Sequence, residues 1–128
     1  MSLKTPLGRV LGLGSAKDGT GHWWMQRLSS VAMVPLTLWF AIAMARVADF
    51  SYPTLVTFLQ GPLNGALMLL LVGVLLYHSH LGVQVVVEDY VHAPAVKVTT
   101  LVLATLAHLA FAVLGILAIL QVSLGSTL

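Results

Sequence analysis

The 128-residue sequence contains no cysteine, which excludes disulfides, thiolate-held zinc and any iron–sulfur cluster carried by this chain alone. Charge is nearly as scarce. Six basic and four acidic residues make up 8% of the chain, against roughly 25% in soluble domains, while 59% is apolar, so an ordinary water-soluble globule is excluded as well. Nor is there a basic stripe able to follow a phosphate backbone. Lys4, Arg9, Lys17, Arg27, Arg46 and Lys97 are isolated positions, and the sequence isoelectric point of about 9.3 reflects the shortage of acids, so no nucleic-acid partner is expected. Residues 1–22, where Lys4, Arg9, Lys17 and Asp18 sit among Gly, Ser and Thr, have neither the apolar core of a secretory signal nor an Arg-rich transit pattern. They are expected to be retained as a polar N-terminal segment on the cytoplasmic side.

What the sequence has instead is long runs without charge. Leu28 to Ala45 is uncharged, lies between Arg27 and Arg46 and follows Trp23 and Trp24. The distance between those arginines along a helix is about 28 Å, close to the hydrocarbon thickness, with indoles at headgroup level. Pro35 is expected to kink this helix. After a loop with Asp49, Pro53 and Gly61-Pro62, a second run extends from Leu63 to Val87 and ends at Glu88-Asp89; past Pro94 and Lys97 the chain is uncharged, so a third helix should end near Gln121–Gly125. The expected fold is therefore all-α and integral to the membrane: segment 1–22, then a membrane domain 23–128 with transmembrane helices at about 23–48, 63–90 and 97–122. Three spans put the N-terminus and the 88–97 loop on one side, with five basic residues against Arg46 alone on the other. The positive-inside rule makes the first side cytoplasmic and puts the C-terminus outside.

Ionisable residues within such helices need a reason, because a polar group in hydrocarbon costs a few kcal/mol (about 2–4) unless it is partnered. His78, His80 and His108 are the three. His78 lies ten residues, roughly 15 Å, inside Glu88, near the midplane, and shares a helix face with Gly82, Val85 and Asp89; His80 is rotated by about 200° and faces elsewhere. Gly82, one turn away, leaves room for a flat macrocycle. A haem iron accepting a neutral imidazole is one reading of His78, and a plain interhelical hydrogen bond beside a small packing residue is the other. At the cytoplasmic end Arg27, Ser29 and Ser30 on the first helix and Asp89 and Tyr90 on the second are expected to converge at one depth, as a pocket for a carbonyl-bearing headgroup such as a quinone. Interface anchoring by Arg27 and Tyr90 is the alternative.

The stretch Tyr77-His78-Ser79-His80-Leu81-Gly82, continuing through Glu88-Asp89-Tyr90-Val91-His92, resembles a family signature: His, three residues, Gly, seven residues, then Tyr preceded by Asp. It is similar to the D-type membrane anchor subunit of succinate dehydrogenase, respiratory complex II. Arg27-Leu28-Ser29 is similar to the Arg-x-Ser/Thr that opens the first helix of that family. The resemblance covers nearly the whole chain and implies one member of a multi-subunit helical bundle. It implies that His78 is an axial ligand to the iron of a haem b shared with a C-type anchor subunit, and that Tyr90, supported by Asp89, hydrogen-bonds ubiquinone. Arg27 would lie near the haem propionates and the quinone. Flavin and iron–sulfur clusters would belong to a flavoprotein subunit and an iron–sulfur subunit, with no complete active site on this chain, in a bacterial cytoplasmic membrane. A fumarate reductase anchor shares this architecture. His108 lies at nearly the depth of His78, so a self-contained cytochrome b with a His78–His108 haem is a further reading, and a non-redox membrane subunit is another. His92 is expected to be solvated or to assist proton delivery.

Overall fold

The computed structural model describes residues 19–125, which form four helices: α1 (Gly19–Arg46), α2 (Tyr52–Gln60), α3 (Pro62–Tyr90) and α4 (Pro94–Leu124). α1, α3 and α4 contain stretches of 27, 29 and 31 residues that are long and apolar enough to cross a membrane. At 1.5 Å per residue each covers roughly 40–47 Å, enough for a ~30 Å hydrocarbon layer and its interfaces. The expected all-α, three-span architecture is what the chain adopts. Lys4, Arg9, Lys17 and Asp18, on which part of the sidedness argument rests, lie outside the described residues.

Proline begins helices here more than it breaks them. Pro53, Pro62 and Pro94 all fall in the first turn of their helices, where the missing N–H would have had no helical partner. This explains α2, a helix where a loop is expected from the sequence: Leu55, Val56, Phe58 and Leu59 make a one-sided apolar stripe behind Pro53. Asp49 secures its start. The Ser51 backbone N–H donates to Asp49 Oδ1 at 2.8 Å, and the Ser51 side chain, that backbone bond and the Thr54 side chain together hold the Asp49 carboxyl below its ordinary range. α1 starts four residues before the expected position, its first turns braced by Arg27 lying over the Trp23 ring at 5.5 Å, an i, i+4 pair. It also continues unbroken through Pro35, two residues before Thr37, whose hydroxyl bonds the Met33 carbonyl at 2.7 Å. At the far end Gly125 closes α4 in the left-handed conformation, φ 63°, that glycine adopts without strain.

α3 is the central helix. It packs against α1 on one side and α4 on the other, α2 lies across α3 and α4, and α1 and α4 make no backbone-level contact among the described residues. Glycine permits the closest approaches. A Cβ on buried Gly65 would stand 2.8 Å from Ser123 Oγ and 2.9 Å from the Leu59 carbonyl oxygen, and one on Gly115 would stand 3.2 Å from Val72. Ser123 Oγ meanwhile donates to the Leu59 carbonyl at 2.9 Å, fastening α4 to α2. Very little side chain is buried: Leu71, Leu81, Val87 and Ile119 are the buried apolar residues described. Most large apolar side chains face outward, the arrangement of helices whose surroundings are lipid or other helices.

Candidate functional site

The polar heart of the molecule lies in the seam between α1 and α3. Ser29, buried to 7% exposure, places its Oγ 3.0 Å from His78 Nδ1 and 3.0 Å from the Gln26 carbonyl oxygen. A carbonyl can only accept, so the hydroxyl hydrogen goes to Gln26 and the Ser29 lone pair takes the hydrogen of Nδ1. In the neutral ring this arrangement leaves the free lone pair on Nε2. The Gln26 side-chain amide covers that lone pair at 3.4 Å, a long bond. Its own carbonyl, Gln26 Oε1, is buried without a partner. The same amide lies 3.8 Å from where a Gly82 Cβ would stand, so the space left by that glycine opens onto Gln26 and the Nε2 side of His78.

Helical geometry dictates this grouping. Gln26, Ser29 and Ser30 lie within one turn, and Gln26 and Ser29, three apart, face α3 together. Ser30 turns back on its own helix, donating to the Gln26 carbonyl at 2.8 Å. Arg27 lies two residues, or 200°, from Ser29 and so points out of the seam, over Trp23. The serines therefore do not join Arg27 in an outward-facing headgroup pocket, as the sequence reading had it.

Depth separates the expected residues further. Because α1 and α3 run antiparallel and Ser29 meets His78, Arg27 lies near the level of His80. Tyr90 is ten residues farther along α3, roughly 15 Å along the axis. Asp89 and Tyr90 sit at the end of α3, both exposed, Tyr90 to 77%. The Tyr90 carbonyl accepts a bond from His92 Nδ1 at 3.1 Å, and Lys97 Nζ donates to the Glu88 carbonyl at 2.8 Å, tying the α3–α4 connection together. The structure thus brings His78 together with Ser29, and Asp89 together with Tyr90, and holds these two groups apart.

His80 and His108 belong to the other seam. Their rings lie 5.4 Å apart between centroids at 59°; His108 Nδ1 donates to the Ala104 carbonyl at 2.7 Å, and its Nε2 is 3.2 Å from Ser79 Oγ. His80 Nδ1 is buried and unpartnered, beside an apolar cavity of about 250 Å³ that both histidines line. His108 therefore packs on the face of α3 turned away from α1, and a haem iron shared by His78 and His108 is not what this fold sets up. No group of three or more metal-ligating side chains occurs among the described residues. A larger groove of about 590 Å³, lined by Pro35, Trp39, Arg46 and Phe58 among others, opens at the other end of α1, away from His78.

Gln26 is a site residue that the charge and histidine pattern does not reveal; its one signal in the sequence is the i, i+3 spacing to Ser29.

Comparison with known proteins places these residues in a family context. The model of the succinate dehydrogenase/fumarate reductase transmembrane subunit family matches residues 1–121. The chain is 33% identical over 89 residues to the succinate dehydrogenase hydrophobic membrane anchor subunit of Rickettsia bellii (strain RML369-C), covering 70% of this chain and 71% of that protein. It is 35% identical over 86 residues to the corresponding subunit of Paracoccus denitrificans, covering 67% of each, and 29% identical to the succinate dehydrogenase membrane anchor subunit of Reclinomonas americana, covering 68% of this chain and 75% of that protein.

Proposed function

Because this chain belongs to the succinate dehydrogenase/fumarate reductase transmembrane subunit family, as a membrane anchor with no complete active site of its own, we propose that it is the D-type anchor of a succinate:ubiquinone oxidoreductase. In that role it would contribute one axial ligand to a haem b and a hydrogen-bond donor to ubiquinone. The observation that carries this reading is the meeting of two motifs 49 residues apart in sequence, with Ser29 of Arg27-x-Ser29 at 3.0 Å from His78. His78 lies twelve residues before Tyr90, the spacing of the signature that the chain resembles.

The residues fit a haem. In the α1–α3 seam His78 Nδ1 is bonded to Ser29, which leaves Nε2 as the atom available to iron, and Gly82 leaves space beside it. When bound, the haem supplies a one-electron store within the membrane. Arg27, near the level of His80 rather than Tyr90, is better placed for a haem propionate than for the quinone.

Tyr90 and Asp89, exposed at the end of α3, are the quinone end of the chain. The Tyr90 phenol donates to a quinone carbonyl, the Asp89 carboxylate supports it, and the remainder of the pocket comes from the C-type anchor and the iron–sulfur subunit. Flavin and iron–sulfur clusters on the partner subunits would supply the electrons from succinate. The outward-facing apolar side chains of α1 and α4 meet the second anchor and lipid, and the five basic residues of the N-terminal side and the 88–97 loop put the quinone end at the cytoplasmic face of the inner membrane. Whether the complex runs as a fumarate reductase is decided by the flavin-bearing partner.

Purification through a tag on this chain in mild detergent tests the proposal. It is expected to recover a flavoprotein, an iron–sulfur protein and a second anchor, with succinate-dependent ubiquinone reduction and a b-type signal in the reduced-minus-oxidised spectrum. Recovery without those partners contradicts the assignment, and the full complex without haem contradicts the His78 role.

A further inference from the structure

Ser29 does more in this structure than pack. Among the described residues it is the buried polar side chain of the core, and its single oxygen is committed twice: it donates to the Gln26 carbonyl and accepts from His78 Nδ1, both at 3.0 Å. The first bond decides the second. Were the hydroxyl free to donate to Nδ1, the proton of the ring would move to Nε2, and no lone pair would face the space beside Gly82. With the hydroxyl drawn to its own helix, Nδ1 keeps the hydrogen and Nε2 is left as the ligating atom. A histidine that binds a metal commonly donates its other ring N–H to a fixed acceptor, which orients the ring and raises its basicity.

Gln26 completes the arrangement. Its amide N–H₂ lies 3.4 Å from His78 Nε2, while its oxygen is buried and unsatisfied, so the side chain is held by one long bond only. It lies opposite Gly82, with only 3.8 Å to the position of a Cβ there. A side chain so weakly held can leave without breaking a good hydrogen bond.

We infer that Ser29 is a positioning residue that fixes the tautomer of His78 for iron ligation through Nε2, and that Gln26 is a displaceable cover on that nitrogen. The inference rests on the haem reading of His78 and adds to it which residues of this chain prepare the ligand. Donation from Nδ1–H to Ser29 increases electron density on the ring, so a haem held by His78 has a lower midpoint potential with the Ser29 hydroxyl than without it.

The test uses the whole complex carrying Ser29→Thr, Ser29→Val, Gln26→Ala or His78→Ala, with haem content per complex and the potentiometric midpoint as readouts. Thr and Val have nearly the same shape and differ in the hydroxyl. Ser29→Thr is expected to keep the parent midpoint, Ser29→Val to raise it and to lower haem content several-fold, and Gln26→Ala to retain full haem content. Equal midpoints and equal haem content in the Thr and Val variants overturn the role of Ser29. Loss of haem in Gln26→Ala overturns the cover, because it makes the amide part of the loaded site. His78→Ala separates the two levels: haem retained there overturns the haem reading itself, whereas haem lost there with identical Thr and Val variants overturns the positioning role alone.

Discussion

The two seams on either side of α3 are built from the same kinds of residue, histidine and serine in hydrocarbon, yet they satisfy them differently. Between α1 and α3, His78 has both ring nitrogens engaged by residues of a single turn, Gln26 and Ser29. Between α3 and α4, His108 is bonded to its own helix and to Ser79, while the His80 ring lies tilted against His108 and keeps a buried nitrogen without a partner. Two residues along a helix separate His78 from His80 by 200°, so one helix serves both seams. Histidine at membrane depth is therefore not by itself a sign of function. What distinguishes His78 is a fixed tautomer with its lone pair directed at a loosely held side chain beside a glycine.

The largest effect expected from breaking this contrast is spectral: His78→Ala abolishes the b-type haem signal of the assembled complex, while His108→Leu leaves it in place. The next concerns the packing of α3 against α2 and α4. Gly65→Ala must displace the Ser123 hydroxyl or the Leu59 backbone, and overpacking of that kind costs about 1–3 kcal/mol. Its thermal unfolding midpoint in detergent is expected to fall by several degrees, whereas a Gly82→Ala variant, with only Gln26 Nε2 near at 3.8 Å, is expected to unfold close to the parent. Tyr90→Phe keeps the haem and lowers quinone turnover by about tenfold, the worth of one lost hydrogen bond. An unchanged turnover number would remove Tyr90 from the quinone end.

Smaller still is the second seam. Ser79→Ala deletes the hydroxyl facing His108 and is expected to cost about 0.6 kcal/mol, the average for an interhelical bond in a membrane, with no change in haem. The smallest effect lies outside both seams. The folded-state pKa of Asp49 is depressed, so its contribution to anchoring α2 is present above the unfolded carboxylate value of about 3.9 and is lost as pH falls through the folded value. Asp49→Asn is therefore expected to be slightly less stable than the parent at neutral pH and indistinguishable from it in strong acid, in paired thermal melts.

Much of this molecule was legible in the sequence because hydrocarbon punishes charge. The neutral runs bounded by Arg27, Arg46, Glu88 and Lys97 mark the three spans, and the 200° between His78 and His80 follows from helix geometry alone. Helix α2 is not legible in the charge pattern because its nine residues are too few to span anything, and because a proline in a first helical turn, as Pro53 is, has the same sequence appearance as one in a loop. The headgroup pocket drawn from Arg27, Ser29, Ser30, Asp89 and Tyr90 did not assemble for a different reason. Distance from a charged end measures depth along one helix, but register between two helices is set by their contacts, and the Ser29–His78 contact puts Arg27 roughly 15 Å from the level of Tyr90. Gln26 could be placed only once that register was known.

The most direct test of the account compares the two neighbours on α3. The complex is purified with His78→Ala and, separately, with His80→Ala, and the dithionite-reduced minus oxidised spectrum of each is recorded against its flavin content. The b-type band is expected to be lost in the His78 variant and intact in the His80 variant. A band that survives His78→Ala, or that disappears with His80→Ala, contradicts it.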